Sequence, residues 1–161
     1  MINTEDFKQL VIVPALQFLG DKYVTPSAVS LLLGTALVES RLHYLYQYPK
    51  GPALGLYQME PDTYYDCWTN YLLNNGNLAS KIRSLAAGRF SSAVIPPTEM
   101  VGNLLYATAM ARIKYYRDPK PLPKVSDVRG LAAYWKRVYN TNLGAGVETK
   151  FVDIYNLYCR G

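Results

Sequence analysis

The stretch Thr25 to Ser40, TPSAVSLLLGTALVES, constrains this chain more than any other. Thr25 can cap a helix start with its hydroxyl, and Pro26 suits the first helical position, where its missing N–H costs nothing. From Ala28 to Val38 there is no charge and no polar face: Leu31, Gly34 and Val38 share one side of the wheel, Val29, Leu33 and Leu37 another, Leu32 and Ala36 a third. A helix apolar all round belongs at the centre of a fold, with neighbours on every side. At about 100° per residue Glu39 falls on the stripe of Ala28, Leu32 and Thr35, so a carboxylate is aimed into small, apolar surroundings at the end of a buried helix. Either Glu39 begins the solvated helix end and pairs with Arg41 or Lys50, or it is a general acid whose pKa is raised by partial burial.

The chain has 161 residues, 50% of them hydrophobic, enough for one packed core and too few to expect two domains. A formal charge of +5 implies attraction to a polyanion, whether nucleic acid, lipid headgroups or an acidic cell-wall polymer. The basic residues are scattered, with no block of like charge, so no nucleic-acid arm is indicated and no nucleic-acid partner is expected. Cys67 and Cys159 lie far apart and suit one bridge or two lone thiols, and neither has metal-site spacing. His43 is the sole histidine, which excludes a histidine-rich zinc centre. No metal or cofactor is expected. The start, MINTEDFKQL, carries two acids, and the following LVIVPALQFL is short and broken by Pro14, so neither a signal peptide nor membrane insertion is expected.

In chain order, Asn3 or Thr4 can cap a first helix through about Leu19, with Glu5 and Asp6 favoured by its dipole. After the central helix, Tyr44, Tyr46 and Tyr48 at spacing two suggest a short strand or ribbon with one aromatic face, and Pro49, Gly51, Pro52 and Gly55 make the region a loop or hairpin. Further helices are expected from Pro61 or Asp62 to Leu72, over Leu78–Gly88, from Glu99 to about Tyr116 with Thr98 as cap, from a Ser126 or Asp127 cap to about Val138, and over Glu148–Tyr158. Ser91–Pro97 reads as a loop and Asp118–Lys124 as a rigid proline-rich connection. The expected fold is mainly α, a single helical domain around a central buried helix with a short β-hairpin or ribbon after Glu39.

Glu39-Ser40, followed by Gly55-Leu56-Tyr57-Gln58 and Met59-Glu60-Pro61-Asp62-Thr63, resembles the lytic transglycosylase and goose-type lysozyme group. There a helix ends in a catalytic Glu-Ser, and roughly fifteen residues later come a Gly-Leu-Met-Gln segment and a Met-Pro-x-Thr turn. Tyr57 stands here in the methionine place and Glu60 and Asp62 bring acids into the turn. The third family element, an Ala-Ala-Tyr-Asn helix, is matched by Ala132-Ala133-Tyr134-Trp135 or by Tyr139-Asn140; the two tyrosines, five residues apart, cannot both point the same way on a continuous α-helix. The Tyr-Trp and Tyr-Asn-Thr pieces with Gly144-Ala145-Gly146 are similar to virion-associated or lysis proteins of bacteriophages. The resemblance covers roughly residues 25 to 140 and implies an α+β lysozyme-like fold.

It also implies an activity. Cleaving a glycosidic bond needs a proton on the leaving oxygen and stabilisation of an oxocarbenium-like transition state, usually from two carboxylates. By resemblance, Glu39 would act first as acid and then as base, drawing the sugar's own 6-hydroxyl onto the anomeric carbon, so that no second carboxylate is required. Ser40, Tyr57, Gln58, Asn140 and Tyr134 or Tyr139 would contact the sugar, and Tyr44, Tyr46 and Trp135 offer it flat faces. Duller roles compete: the tyrosines can cover core, Gln58 can satisfy backbone groups in a turn, and Glu60 and Asp62 suit an exposed helix start. For a water-activating hydrolase, Glu60 and Asp62 are the nearest candidates for a second carboxylate. The implied partners are peptidoglycan glycan strands, with other virion proteins or a membrane-permeabilising holin beside them. The implied location is the virion, or the host cytoplasm before release to the wall. A non-catalytic lysozyme-like component of a virus particle is the alternative from another class.

Overall fold

The computed structural model describes residues 1–90, 92–141 and 146–159. Asn3 caps the first helical run, its Oδ1 accepting from the amides of Glu5 and Asp6 at 2.9 and 3.0 Å. The run is α1 (Thr4–Phe7), a π-helical turn over Lys8–Ile12, and α2 (Val13–Leu19). The wide turn lies just ahead of Pro14, whose ring would otherwise press on the carbonyl four residues back and which has no N–H to donate. Gly20 ends the run at φ 130°, a conformation closed to other residues at ordinary cost.

α3 (Pro26–Ser40) begins where the sequence predicts, with Thr25 Oγ1 accepting from Ala28 N at 3.1 Å. Every residue from Leu31 to Leu37 is buried. The last helix packs close because Gly34 has no side chain: a Cβ there would run into the Phe151 ring. Thr35, the polar member of the Glu39 stripe, donates to Leu31 O at 2.7 Å and shares a 2.7 Å hydrogen bond with the Tyr115 hydroxyl. At the C-terminal end Arg41 and Leu42 both take left-handed backbone, φ 55° and 52°, which turns the chain sharply out of the core.

The segment after α3 forms a loop tied by isolated antiparallel bridges, Tyr46 to Leu54 and Leu54 to Met59, without a longer strand among the described residues. Then come α4 (Pro61–Asn70) and α5 (Gly76–Ser84). The helix expected to run unbroken from Glu99 is instead two, α6 (Glu99–Gly102) and α7 (Leu104–Tyr116). Asn103 breaks it: extended at φ −103°, it caps α7 by accepting from Tyr106 N, and its amide donates to Leu85 O at 2.7 Å. Thr98, the expected cap, makes no side-chain cap bond.

Asp127 caps α8 (Val128–Trp135) through Gly130 N at 2.8 Å. The helix continues as a second π-helical turn, Lys136–Asn140, ending at Thr141 with φ 44°. α9 (Glu148–Cys159) closes the fold. One hydrophobic core runs through all these elements, and α3 packs against α7, α8 and α9. Cys67 and Cys159 are both free. No helix among the described residues is long and apolar enough to cross a membrane.

Candidate active site

The end of α3, the tied loop and the π-helical turn after α8 enclose a cleft of about 940 Å³. Glu39, Ser40 and Arg41 line it from α3 and its exit, Gln58 and Glu60 from the loop, Trp135 from the end of α8, and Tyr139 and Asn140 from the turn. Neither basic partner that the sequence offers Glu39 pairs with it. Its Oε1 accepts from the indole N–H of Trp135 at 2.9 Å. Burial pushes the Glu39 carboxyl up to about 7, against the opposing pull of the Trp135 N–H, the Asn140 amide and the Lys136 charge. Desolvation of a carboxylate outweighs two hydrogen bonds and one partly solvated cation. Near neutral pH this group is divided between acid and anion, the condition in which a carboxyl can both give and take a proton.

Beneath Glu39 lies a layer of tyrosines. Tyr115 and Tyr139 stack with ring centres 5.3 Å apart, and burial pushes both hydroxyls well above their ordinary range. Tyr139 donates to Tyr57 O at 2.8 Å, tying the π-helical turn to the Gly-Leu-Tyr-Gln loop. Tyr134 also packs on Tyr115, at 6.0 Å, so both tyrosines do reach the same ring. The π-helical turn accounts for this, because its wider winding brings residues five apart back to one side.

The two tyrosines nonetheless serve different places. Tyr134 does not line the cleft; its hydroxyl donates to Lys120 O at 2.8 Å, pinning the proline-rich connection. Tyr139 and Asn140 line the cleft, and the stretch from Asn142 to Ala145 that follows them lies outside the described residues. The Tyr57 side chain is likewise removed from any sugar contact: it is 2% exposed, and its hydroxyl accepts from Thr108 at 3.2 Å. The Tyr57 ring is drawn inward by the core.

Tyr44 and Tyr48 form the aromatic edge of the cleft, stacked at 5.0 Å with 15° between planes. Tyr46, bridged to Leu54, stands 61% exposed and outside the cleft, so the three tyrosines do not share one face. Trp135 offers no open face either; it is 1% exposed, packs on Phe151 at 5.7 Å, and presents its N–H edge. Gln58 sits at φ 47° and its amide donates to Gly55 O at 2.9 Å, which fixes the turn and leaves its side-chain carbonyl as an acceptor. Ser40 donates to Ala36 O at 3.0 Å. Glu60 lines the cleft, whereas Asp62 is exposed in the first turn of α4 and outside it.

Two contributors were not read from the sequence as parts of the site, although Gly146 belongs to the Gly-Ala-Gly piece noted there. Lys136 donates to Asn140 Oδ1 and to Thr141 O, both at 2.9 Å. Gly146 crosses Trp135 and Asn140 so closely that a Cβ would lie 2.6 Å from the indole and 2.8 Å from the amide oxygen. No cluster of three histidine, cysteine, aspartate or glutamate side chains able to hold a metal ion occurs among the described residues. Comparison of the chain with protein-family models, curated proteins and solved structures finds no match.

Proposed function

We propose that this chain is a lysozyme-like lytic transglycosylase that cleaves the β-1,4 bond between the alternating amino sugars of bacterial peptidoglycan. The observation that supports it best is Glu39: a carboxyl on the end of a buried helix, raised to about 7 by burial, in a cleft of about 940 Å³. Because Oε1 accepts from Trp135, the acidic proton is carried on Oε2. That proton passes to the glycosidic oxygen as the anomeric carbon–oxygen bond breaks. The carboxylate left behind takes the proton of the sugar's 6-hydroxyl, whose oxygen closes on the anomeric carbon to give a 1,6-anhydro product. Tyr44 and Tyr48 supply a flat apolar edge for a sugar ring, and Gln58 Oε1 an acceptor for an N-acetyl N–H.

The test is mass spectrometry of the fragments released from purified peptidoglycan by the wild type and by Glu39→Gln. Anhydro products, one water lighter than hydrated ones and lost in the variant, are expected. Hydrated products would replace this reading with a hydrolase, in which Glu60, on the same cleft, activates water. Binding to the wall without release of fragments would replace it with a wall-binding component of a virus particle, the only reading in which virion partners carry the function.

A further inference from the structure

The π-helical turn holds a lysine whose partners are unusual for a surface cation. Lys136 is half-buried and donates to Asn140 Oδ1 and to Thr141 O, both at 2.9 Å, at the point where the helix ends. An ammonium group has donors only, so the atom it holds on Asn140 must be the carbonyl oxygen, and the NH2 group is thereby turned the other way. Asn140 lies in the cleft lining with Glu39, and Gly146 closes over the same amide from outside, where any side chain would collide with it. Trp135, one residue before Lys136, donates to Glu39 Oε1. Trp135 thus holds Glu39 directly, and Asn140, which Lys136 holds, shares the cleft with it.

We propose that Lys136 is a positioning residue: by holding the Asn140 carbonyl it turns the Asn140 NH2 toward the Glu39 side of the cleft, where that NH2 favours the carboxylate alongside the Trp135 N–H. The inference rests on the reading of Glu39 as the acid only for its use, since the geometry exists without any substrate. Other groups face Glu39 and bound what a titration means. Tyr115 and Tyr139 lie beneath it with hydroxyls that burial keeps protonated, and Arg41, Glu60 and Lys150 line the same cleft.

The experiment is a carboxyl-carbon NMR titration of Glu39 in the whole chain, for wild type, Lys136→Met, Lys136→Arg, Asn140→Ala and the Lys136→Met/Asn140→Ala pair. Lys136→Met should raise the Glu39 midpoint by roughly one pH unit, because the anion loses an ordered donor and a nearby charge. Arginine, which keeps charge and donors, should restore most of the shift. In the Asn140→Ala background the lysine's effect should fall to less than half, the mark of action through Asn140. An unchanged midpoint in Lys136→Met, or the same shift with and without Asn140, overturns the proposal. Asn140→Ala alone should also raise the midpoint and carries the test if the methionine variant does not fold; no shift there overturns it equally. Because no substrate is involved, a chain that shows these shifts yet cleaves no wall would refute the proposed activity and leave this inference standing.

Discussion

The indole N–H of Trp135 donates to Glu39 Oε1 across 2.9 Å, joining two residues 96 positions apart in the chain. The bond favours the anion while burial opposes it, and burial prevails. Trp135→Phe removes the donor and keeps most of the ring that packs on Phe151. The Glu39 midpoint should move above 7 and the alkaline limb of any cleavage activity should follow it upward. A pH–rate profile of the variant against wild type checks this, and an unmoved limb would mean the indole acts by packing alone.

The raised pKa of Glu39 also acts on stability. Between about 4.5, its value in the unfolded chain, and about 7 in the folded one, the native state binds the extra proton. Stability from this group is therefore complete below 4.5 and is lost as pH rises through 7, a loss of roughly 3 kcal/mol. Glu39→Gln, which can still accept from Trp135, should melt like wild type near pH 4 and several degrees higher near pH 8.5. Thermal melts at the two pH values decide it; a variant that is less stable at high pH contradicts the burial of the carboxyl.

The two tyrosines of the third motif are separable by substitution. Tyr134→Phe loses a bond to Lys120 O, outside the cleft, and should cost about 1 kcal/mol with cleavage unchanged. Tyr139→Phe unties the cleft from the Tyr57 carbonyl and should lower cleavage by roughly tenfold or more, since small misplacements near reacting groups are costly. Parallel assays and urea melts of both variants suffice; equal activity losses would reassign the motif.

Gly34→Ala tests the packing that supports Glu39. Alanine is the better helix former by about 1 kcal/mol, yet its methyl would run into Phe151. Overpacking in a dense core costs about 1–3 kcal/mol, so the variant should be net destabilised, with a melting temperature lower by a few degrees. A more stable variant would show that α9 can yield.

What could be read from the chain alone follows the range of the forces involved. The central helix and the burial of Glu39 were legible because cap, proline and apolar run all act within a few residues. The mainly helical class was legible for the same reason. The break at Asn103 was not, although Gly102-Asn103 was visible, because apolar residues on both sides fit one helix and only the bond to Leu85 O makes the break worthwhile. The π-helical turn was invisible: α-helical periodicity placed Tyr134 and Tyr139 on different sides, and contact with Tyr115 brings them to one ring. For Tyr57 the resemblance implied a hydroxyl in the cleft, and the core claimed it. The pairing of Glu39 with Trp135 left no local trace, since neither neighbourhood encodes the other.

The bridge-tied loop after α3 divides the labour of the cleft. Glu39, Trp135 and Tyr139 stand on helices whose amides can exchange with solvent only when much of the core opens, whereas Tyr44, Tyr48 and Gln58 hang on a segment held by isolated bridges and a few hydrogen bonds. Hydrogen exchange should accordingly be fast from 43 to 53 and slow along α3. The carboxyl thus stands on the slowly opening core and the aromatic edge on a looser segment, and the Tyr139–Tyr57 bond is the point at which motion of one is felt by the other.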